Sequence, residues 1–290
     1  MHKDHGVTNR QQFSDPHFFD SHCHFDFVEF NADRAALWQA CQAQGITHLL
    51  MPGVTPDQWQ TAAQLCANHH GLFYAAGIHP YWIEQQPWFQ SGNGNMLDSA
   101  IREKITALIH REFLHSRNLN DARCVAVGEC GLDKMISIPL ALQQQLLVVH
   151  IEVANQLQKP LIVHCVKAHN ELITLLKKHK PHYGGVIHAF SGSYEIAREY
   201  VDLGFYLGVG GTITYERAQK TRAAVAKIPL DWLVLETDAP DMPLQGKQGQ
   251  HNSPEYIPQI AQVLADLRSV TTQEIASATS RNAMRLFHRS

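Results

Sequence analysis

The sequence predicts a single α/β domain of the (β/α)8, TIM-type barrel class, on three observations. Eight short apolar runs recur along the chain, at 17–24, 47–53, 72–79, 124–129, 160–165, 185–190, 205–210 and 233–238. They are almost continuous in Val, Ile, Leu and Phe, as strands covered on both faces must be. Amphipathic stretches of helical length separate them, and polar residues gather where the runs end. The alternation also fits an open doubly wound sheet, which is the runner-up.

Each element carries its own signal. Residues 1–15 are polar and aperiodic and read as a loose N-terminal arm, leaving 16–290 for the barrel domain. Gly45 stops the helix that follows the first run, and Gly204 does the same before the seventh. Thr55-Pro56 supplies an N-cap followed by proline at the first helical position. The third strand is followed by an enlarged connection before its helix. That connection runs from Trp82 to Arg123, holds Ser91-Gly-Asn-Gly-Asn95, and shows a helical pattern from Met96 to about Ser116. Ser253-Pro254 opens a late helix, and Thr271 with Glu274 forms a capping box for the last one.

Composition narrows the function classes. The 290 residues carry 24 Lys and Arg against 27 Asp and Glu, a formal net charge of −3. No basic surplus exists to bind nucleic acid non-specifically, so a polyanionic substrate needs local groups or metal. Nineteen histidines are many for this length and suit metal or proton chemistry. No apolar run reaches the roughly 18 residues of a membrane span. The six cysteines contain no C-x-x-C pair and follow no secretory segment, which predicts reduced thiols in the cytoplasm. Cys23, Cys130 and Cys165 adjoin candidate ligands but read as packing residues.

In a barrel of this class, reactive groups belong at the C-terminal ends of the strands. There the sequence places His22 and His24 after run one, His79 after run three and Glu129 in run four. His164 ends run five, His188 falls in run six and Asp238 ends run eight. Any one of these is an ordinary polar strand tip. Four imidazoles and two carboxylates on one rim predict two divalent ions. Glu129 has two oxygens and stands mid-order, so it is the expected bridge. His22, His24, Glu129 and Asp238 form one ligand set; Glu129, His164 and His188 form the other. A water or hydroxide between the ions would attack the substrate, with Asp238 taking its proton. Zinc is expected as the bound ion, with magnesium or manganese able to support activity.

The ordered motifs Asp-Ser-His-Cys-His-Phe-Asp (20–26), Gly-Ile-His-Pro (77–80) and Val-Gly-Glu-Cys-Gly-Leu-Asp (127–133) continue into Leu-Ile-Val-His-Cys (161–165), His-Ala-Phe-Ser-Gly-Ser (188–193) and Leu-Glu-Thr-Asp-Ala-Pro (235–240). Together they resemble the TatD family of metal-dependent deoxyribonucleases, within the amidohydrolase-like barrels. The resemblance spans roughly residues 17 to 287 and includes Asn282 with Leu286-Phe287. It implies a divalent-metal phosphodiesterase acting on DNA, often as an exonuclease, with its metal residues on the six named above. It also implies that His79 reaches the substrate phosphate.

Several positions depart from the family pattern. Lys134-Met135 stands where many members carry an aromatic pair, and Val166-Lys167 where many carry arginine. Residues 241–244 and 248–252 resemble a subgroup of uncharacterised deoxyribonuclease-like proteins. Lys134 and Lys167 are either phosphate contacts or solvated lysines, while His169 and Tyr215 stand outside the catalytic set. The alternative activity on the same dinuclear platform is a small-molecule amidohydrolase or ester hydrolase. A metal-holding scaffold without turnover is the weakest reading, because the ligand set is complete. No obligatory protein partner is implied.

Overall fold

The computed structural model describes residues 17–90, 96–118 and 123–288. The N-terminal arm and the polar stretch at 91–95 lie outside these residues.

Eight parallel strands form one sheet in sequence order. They are β1 (Phe18–Asp20), β2 (Ile46–Met51), β3 (Leu72–Ala76), β4 (Cys124–Asp133), β5 (Leu161–Val166), β6 (Gly185–Ile187), β7 (Phe205–Val209) and β8 (Leu233–Leu235). Backbone bonds from Ser21 N to Leu235 O (2.9 Å) and from Asp238 N to His22 O (2.8 Å) close β8 on β1. The architecture is therefore the (β/α)8 barrel, and the open-sheet alternative falls away.

Helices alternate with the strands: α1 (Arg34–Ala43), α2 (Pro56–Asn68), α3 (Pro87–Gln90), α4 (Ser99–Asn118), α5 (Leu140–Leu157), α6 (His169–His179), α7 (Tyr194–Asp202), α8 (Gln219–Lys227), α9 (Ile257–Arg268) and α10 (Thr272–Phe287). The expected start and stop signals act as read. Thr55 accepts from Gln58 N at the head of α2, Thr271 and Glu274 form the capping box of α10, and Gly45 and Gly204 turn left-handed after α1 and α7. Both α3 and α4 lie in the enlarged connection after β3. Ser253 caps a 3-10 turn, Pro254–Tyr256, that leads into α9.

Two apolar layers hold the barrel. The larger lies between strands and helices. The smaller fills the barrel itself, with Phe19, Leu50, Phe73, Val125, Ile162, Val186, Tyr206 and Val234 contributed by β1 to β8 in turn. Ala283, Leu286 and Phe287 of α10 pack against it from below. With its lower half filled, the barrel leaves only the opposite rim for polar side chains.

The strands differ in detail from the apolar runs. β1 stops at Asp20, so His22 and His24 lie just past it. Asp20 fastens that segment to the end of β8: its carboxylate accepts from Thr237 Oγ1 (2.6 Å), Thr237 N (3.0 Å) and His22 N (3.2 Å). β4 continues beyond Glu129 to Asp133, and its register against β5 shifts between Val127 and Cys130. A bulge re-aims side chains; here Glu129 reaches the interior while Cys130 packs into the outer layer.

Candidate metal centre

The six residues assigned to metal converge on the C-terminal rim, and Glu129 stands between two groups of imidazoles. Its Oε2 is 3.1 Å from His22 Nε2 and 3.9 Å from His24 Nε2, and both rings also approach Asp238 Oδ1, at 3.5 and 3.6 Å. Its Oε1 is 2.8 Å from His188 Nε2, 3.1 Å from His164 Nδ1 and 3.2 Å from His79 Nε2. The carboxylate thus faces one ligand group with each oxygen, the arrangement a bridging residue needs.

The site fits cations better than it fits its own hydrogen bonds. His22 Nε2 and Glu129 Oε2 are close and buried, yet neither makes a hydrogen bond among the described residues. Buried polar atoms are almost always paired. Atoms that converge without pairing share a third party, and imidazole with carboxylate is a donor set that suits zinc and similar divalent ions. Triplets of ligand atoms within 4.8 Å of one another arise in His22–His24–Glu129, in His79–Glu129–His164 and in His22–His188–Glu236.

A partner on the far side of a ring selects which nitrogen faces inward, and His164 has one. His164 Nε2 lies 3.1 Å from Asp133 Oδ2, which can only accept, so that nitrogen carries a proton, and Nδ1 faces Glu129 Oε1 at 3.1 Å. Asp133 is itself fixed: Oδ1 accepts from Met135 N (2.7 Å), and Gln143 of α5 bonds both its N and its O. His188 Nδ1 faces Glu236 Oε1 at 3.8 Å, and that same oxygen accepts from Ala189 N. His79 differs. Its Nδ1 accepts from Tyr81 N (3.1 Å), which puts the proton on Nε2 and makes that nitrogen a donor. His79 is thus built to give a hydrogen bond rather than to ligate.

Burial and neighbouring charges shift these groups strongly. Glu129 is held well below the ordinary carboxylate range, since the surrounding imidazoles outweigh its burial. Burial raises Asp238 to about 7, and Glu129 adds to the rise while His22 opposes it. Burial pushes His164 down, but its hydrogen bonds to Asp133 and Glu129 bring it up to about 9. Burial keeps Glu236 well above the usual range. Asp238 also holds a left-handed backbone (φ 59°), fixed by its bond to His22 O.

The residues set aside in the sequence have other work. Lys134 Nζ is 2.6 Å from Glu171 Oε1. His169 bonds Tyr200 and Ser191 O on the outer side of β5, beside Cys165 Sγ at 3.3 Å. Tyr215 donates to Pro243 O (2.7 Å). Asp133 and Glu236 escaped the sequence reading as functional groups. The signal for both was period two: each stands an even step along its strand from an inward position. The aromatic residues around the mouth were missed as well.

A family profile described as TatD related DNase matches residues 19–288. The chain belongs to the TatD family. YjjV of Escherichia coli K12, named an uncharacterized metal-dependent hydrolase, is 39% identical over 272 residues, 93% of this chain and 98% of its own. A TatD of Cronobacter sakazakii, named a 3'-5' ssDNA/RNA exonuclease, is 30% identical over 278 residues, 93% of this chain and 97% of its own. The crystal structure of YjjV, a TatD homolog, matches this fold with a TM-score of 0.81 at 38% identity, covering 94% of this chain and 98% of that one. This TatD protein is accordingly a metal-dependent hydrolase by family. Among its described residues, no helix is long and apolar enough to cross a membrane.

Proposed function

We propose that the protein is a dinuclear metal-dependent phosphodiesterase that degrades DNA from an end. The observation that carries this is the split of Glu129, one oxygen to His22 and His24 and the other to His164 and His188. His22, His24, Glu129 and Asp238 would hold one ion; Glu129, His164 and His188 would hold the other. Bound there, the ions would supply an activated water and positive charge for displacement at phosphorus.

The side chains supply the rest. Asp238 faces the cavity beside His22 and His24 and takes the proton of the attacking water. His79 presents its Nε2–H to a non-bridging oxygen of the phosphate, where negative charge develops. Asp133 holds His164 with Nδ1 inward, and Glu236 stands behind His188 at 3.8 Å without a hydrogen bond to it. Nuclease naming among relatives supports DNA or RNA as the substrate class. Zinc fits the imidazole-rich set, and magnesium or manganese fits the carboxylates. The six free thiols agree with a reducing, cytoplasmic setting.

The test is hydrolysis of end-labelled single-stranded DNA and of a generic phosphodiester, with and without chelator, beside a panel of amides and lactones. Turnover of the phosphodiesters that chelator abolishes is the expected result. Turnover of amides or lactones alone would overturn the reading. His79→Ala should cut phosphodiester turnover sharply while metal content stays at the wild-type level; an equally active variant removes its role.

A further inference from the structure

The cavity that holds the imidazole cluster has a second wall made of aromatic rings. Phe27, Tyr81 and Trp82 line the same cavity, of about 350 Å³, as His24, His79 and Asp238. Phe27 lies nearly flat on the His24 ring, at 4.6 Å between centroids and 27°. Trp82 meets Phe27 edge-on (6.5 Å, 83°), and Tyr81 meets Trp82 the same way (5.3 Å, 80°). Their positions are tied to His79: Tyr81 N donates to His79 Nδ1, and Trp82 N donates to His79 O (3.0 Å). Trp82 and Phe27 are half-buried, while Tyr81 is 59% exposed.

Three features of this wall point to one occupant. Rings left open beside a reactive centre offer π-faces at low entropic cost. No Lys or Arg stands among the described residues lining the cavity, and Asp241 adds negative charge at its edge. A groove that tracks a phosphate backbone needs cations, so phosphates beyond the reacting one find no partner there. The volume, about 350 Å³, is at the small end of ligand sites, about 300–1,000 Å³, and matches a single nucleotide unit.

We propose that Trp82, flanked edge-on by Phe27 and Tyr81, forms a stacking shelf for the nucleobase of a strand-terminal nucleotide. The inference rests on the phosphodiesterase reading, which puts the scissile phosphate at Glu129. The base of the last nucleotide lies against the shelf while its phosphate reaches the centre. Recognition is by ring face, since every base has one, and so it is tolerant of sequence. A base that is still paired cannot reach the shelf, so single-stranded or frayed ends are the substrates.

The experiment compares two single-stranded oligodeoxynucleotides that differ only in whether the terminal residue carries its base. Both are read as kcat/KM and, in chelator, as equilibrium affinity by fluorescence anisotropy. Wild type should favour the base-bearing end by roughly 5- to 100-fold, the usual yield of one stacked base. Trp82→Ala and Tyr81→Ala should bring that ratio toward one, whereas Trp82→Phe should largely keep it. Oligonucleotides ending in each of the four bases should differ from one another by only a few fold. Equal handling of the two ends by wild type, or an undiminished ratio in both alanine variants, would overturn the shelf. Wild type that cuts neither oligonucleotide overturns the phosphodiesterase reading instead, and the binding ratio still decides the shelf.

Discussion

Asp133→Asn is the substitution that most directly examines how the centre is held. Asp133 Oδ2 lies 3.1 Å from His164 Nε2, and no other hydrogen bond among the described residues restrains that nitrogen. The isosteric amide keeps the shape, and the backbone stays fixed because Gln143 grips Asp133 N (2.7 Å) and O (2.9 Å). What is lost is the charge that fixes the His164 tautomer. The asparagine oxygen still accepts, but its amide face donates and can turn the ring. Substitutions at such supporting carboxylates typically cost 10–100-fold in metal affinity or activity. That corresponds to about 1.4–2.7 kcal/mol. The loss should fall on one ion only, the one on the His164 and His188 side. Zinc titration against a competing chelator should therefore show one wild-type affinity and one weakened 10- to 100-fold, in a protein with an unchanged circular dichroism spectrum. Two wild-type affinities, or equal weakening of both ions, would refute the reasoning.

Other substitutions probe the remaining parts. Glu129→Gln removes the charge between the two groups, so it should lose at least one ion by elemental analysis and nearly all activity. Asp238→Asn should keep its fold and lose activity by ~10²–10⁴-fold in steady-state assays. Gly208→Ala would place its Cβ 2.0 Å from Glu236 Oε2, so the carboxyl must move; chemical denaturation should show about 1–3 kcal/mol of lost stability. Cys165→Ser sits on the outer side by His169 and Tyr200, and should cost some stability and little turnover. His150 bears on pH. Burial lowers it from 6.5 to about 4, and its Nε2 accepts from Ile78 N (3.0 Å). The unfolded chain takes up that proton first, so this stabilisation is full above pH 6.5 and shrinks as pH falls toward 4. The range is about 3 kcal/mol. Denaturation curves of wild type and His150→Gln should converge across that window; a difference independent of pH would count against it.

The parts legible in the sequence were those with a short-range cause. Runs of Val, Ile and Leu bounded by Gly and capped helices name β5 and β7 to within one residue at each end, and overrun the ends of β2 and β3 by two and three residues. The metal-type side chains could be read because a barrel brings strand ends together whatever the loops do. What could not be read depends on contacts between distant strands. The extension of β4 to Asp133 follows from its pairing with β5 through Val166, which no local pattern announces. The shortness of β1 follows from Asp20 turning to Thr237, 217 residues away. The tautomer of His79 depends on the N–H of Tyr81 two residues on, a turn geometry that Gly-x-His-Pro alone does not specify.

The plug of α10 beneath the barrel has a consequence for synthesis. Phe19 stacks on Phe287 at 5.9 Å, and Asn282 Nδ2 donates to Leu230 O and Leu233 O where the seam closes. The first strand to leave the ribosome therefore waits for the last helix before its inner face is covered. Contacts of such sequence separation make folding slow and expose unpaired strand edges meanwhile. His22 and His24 emerge early, while Asp238 arrives more than two hundred residues later. Until the seam closes, His22 and His24 stand without the carboxylate proposed to share their ion. On the ligand set proposed above, metal loading would follow closure of the seam rather than the appearance of the first two histidines.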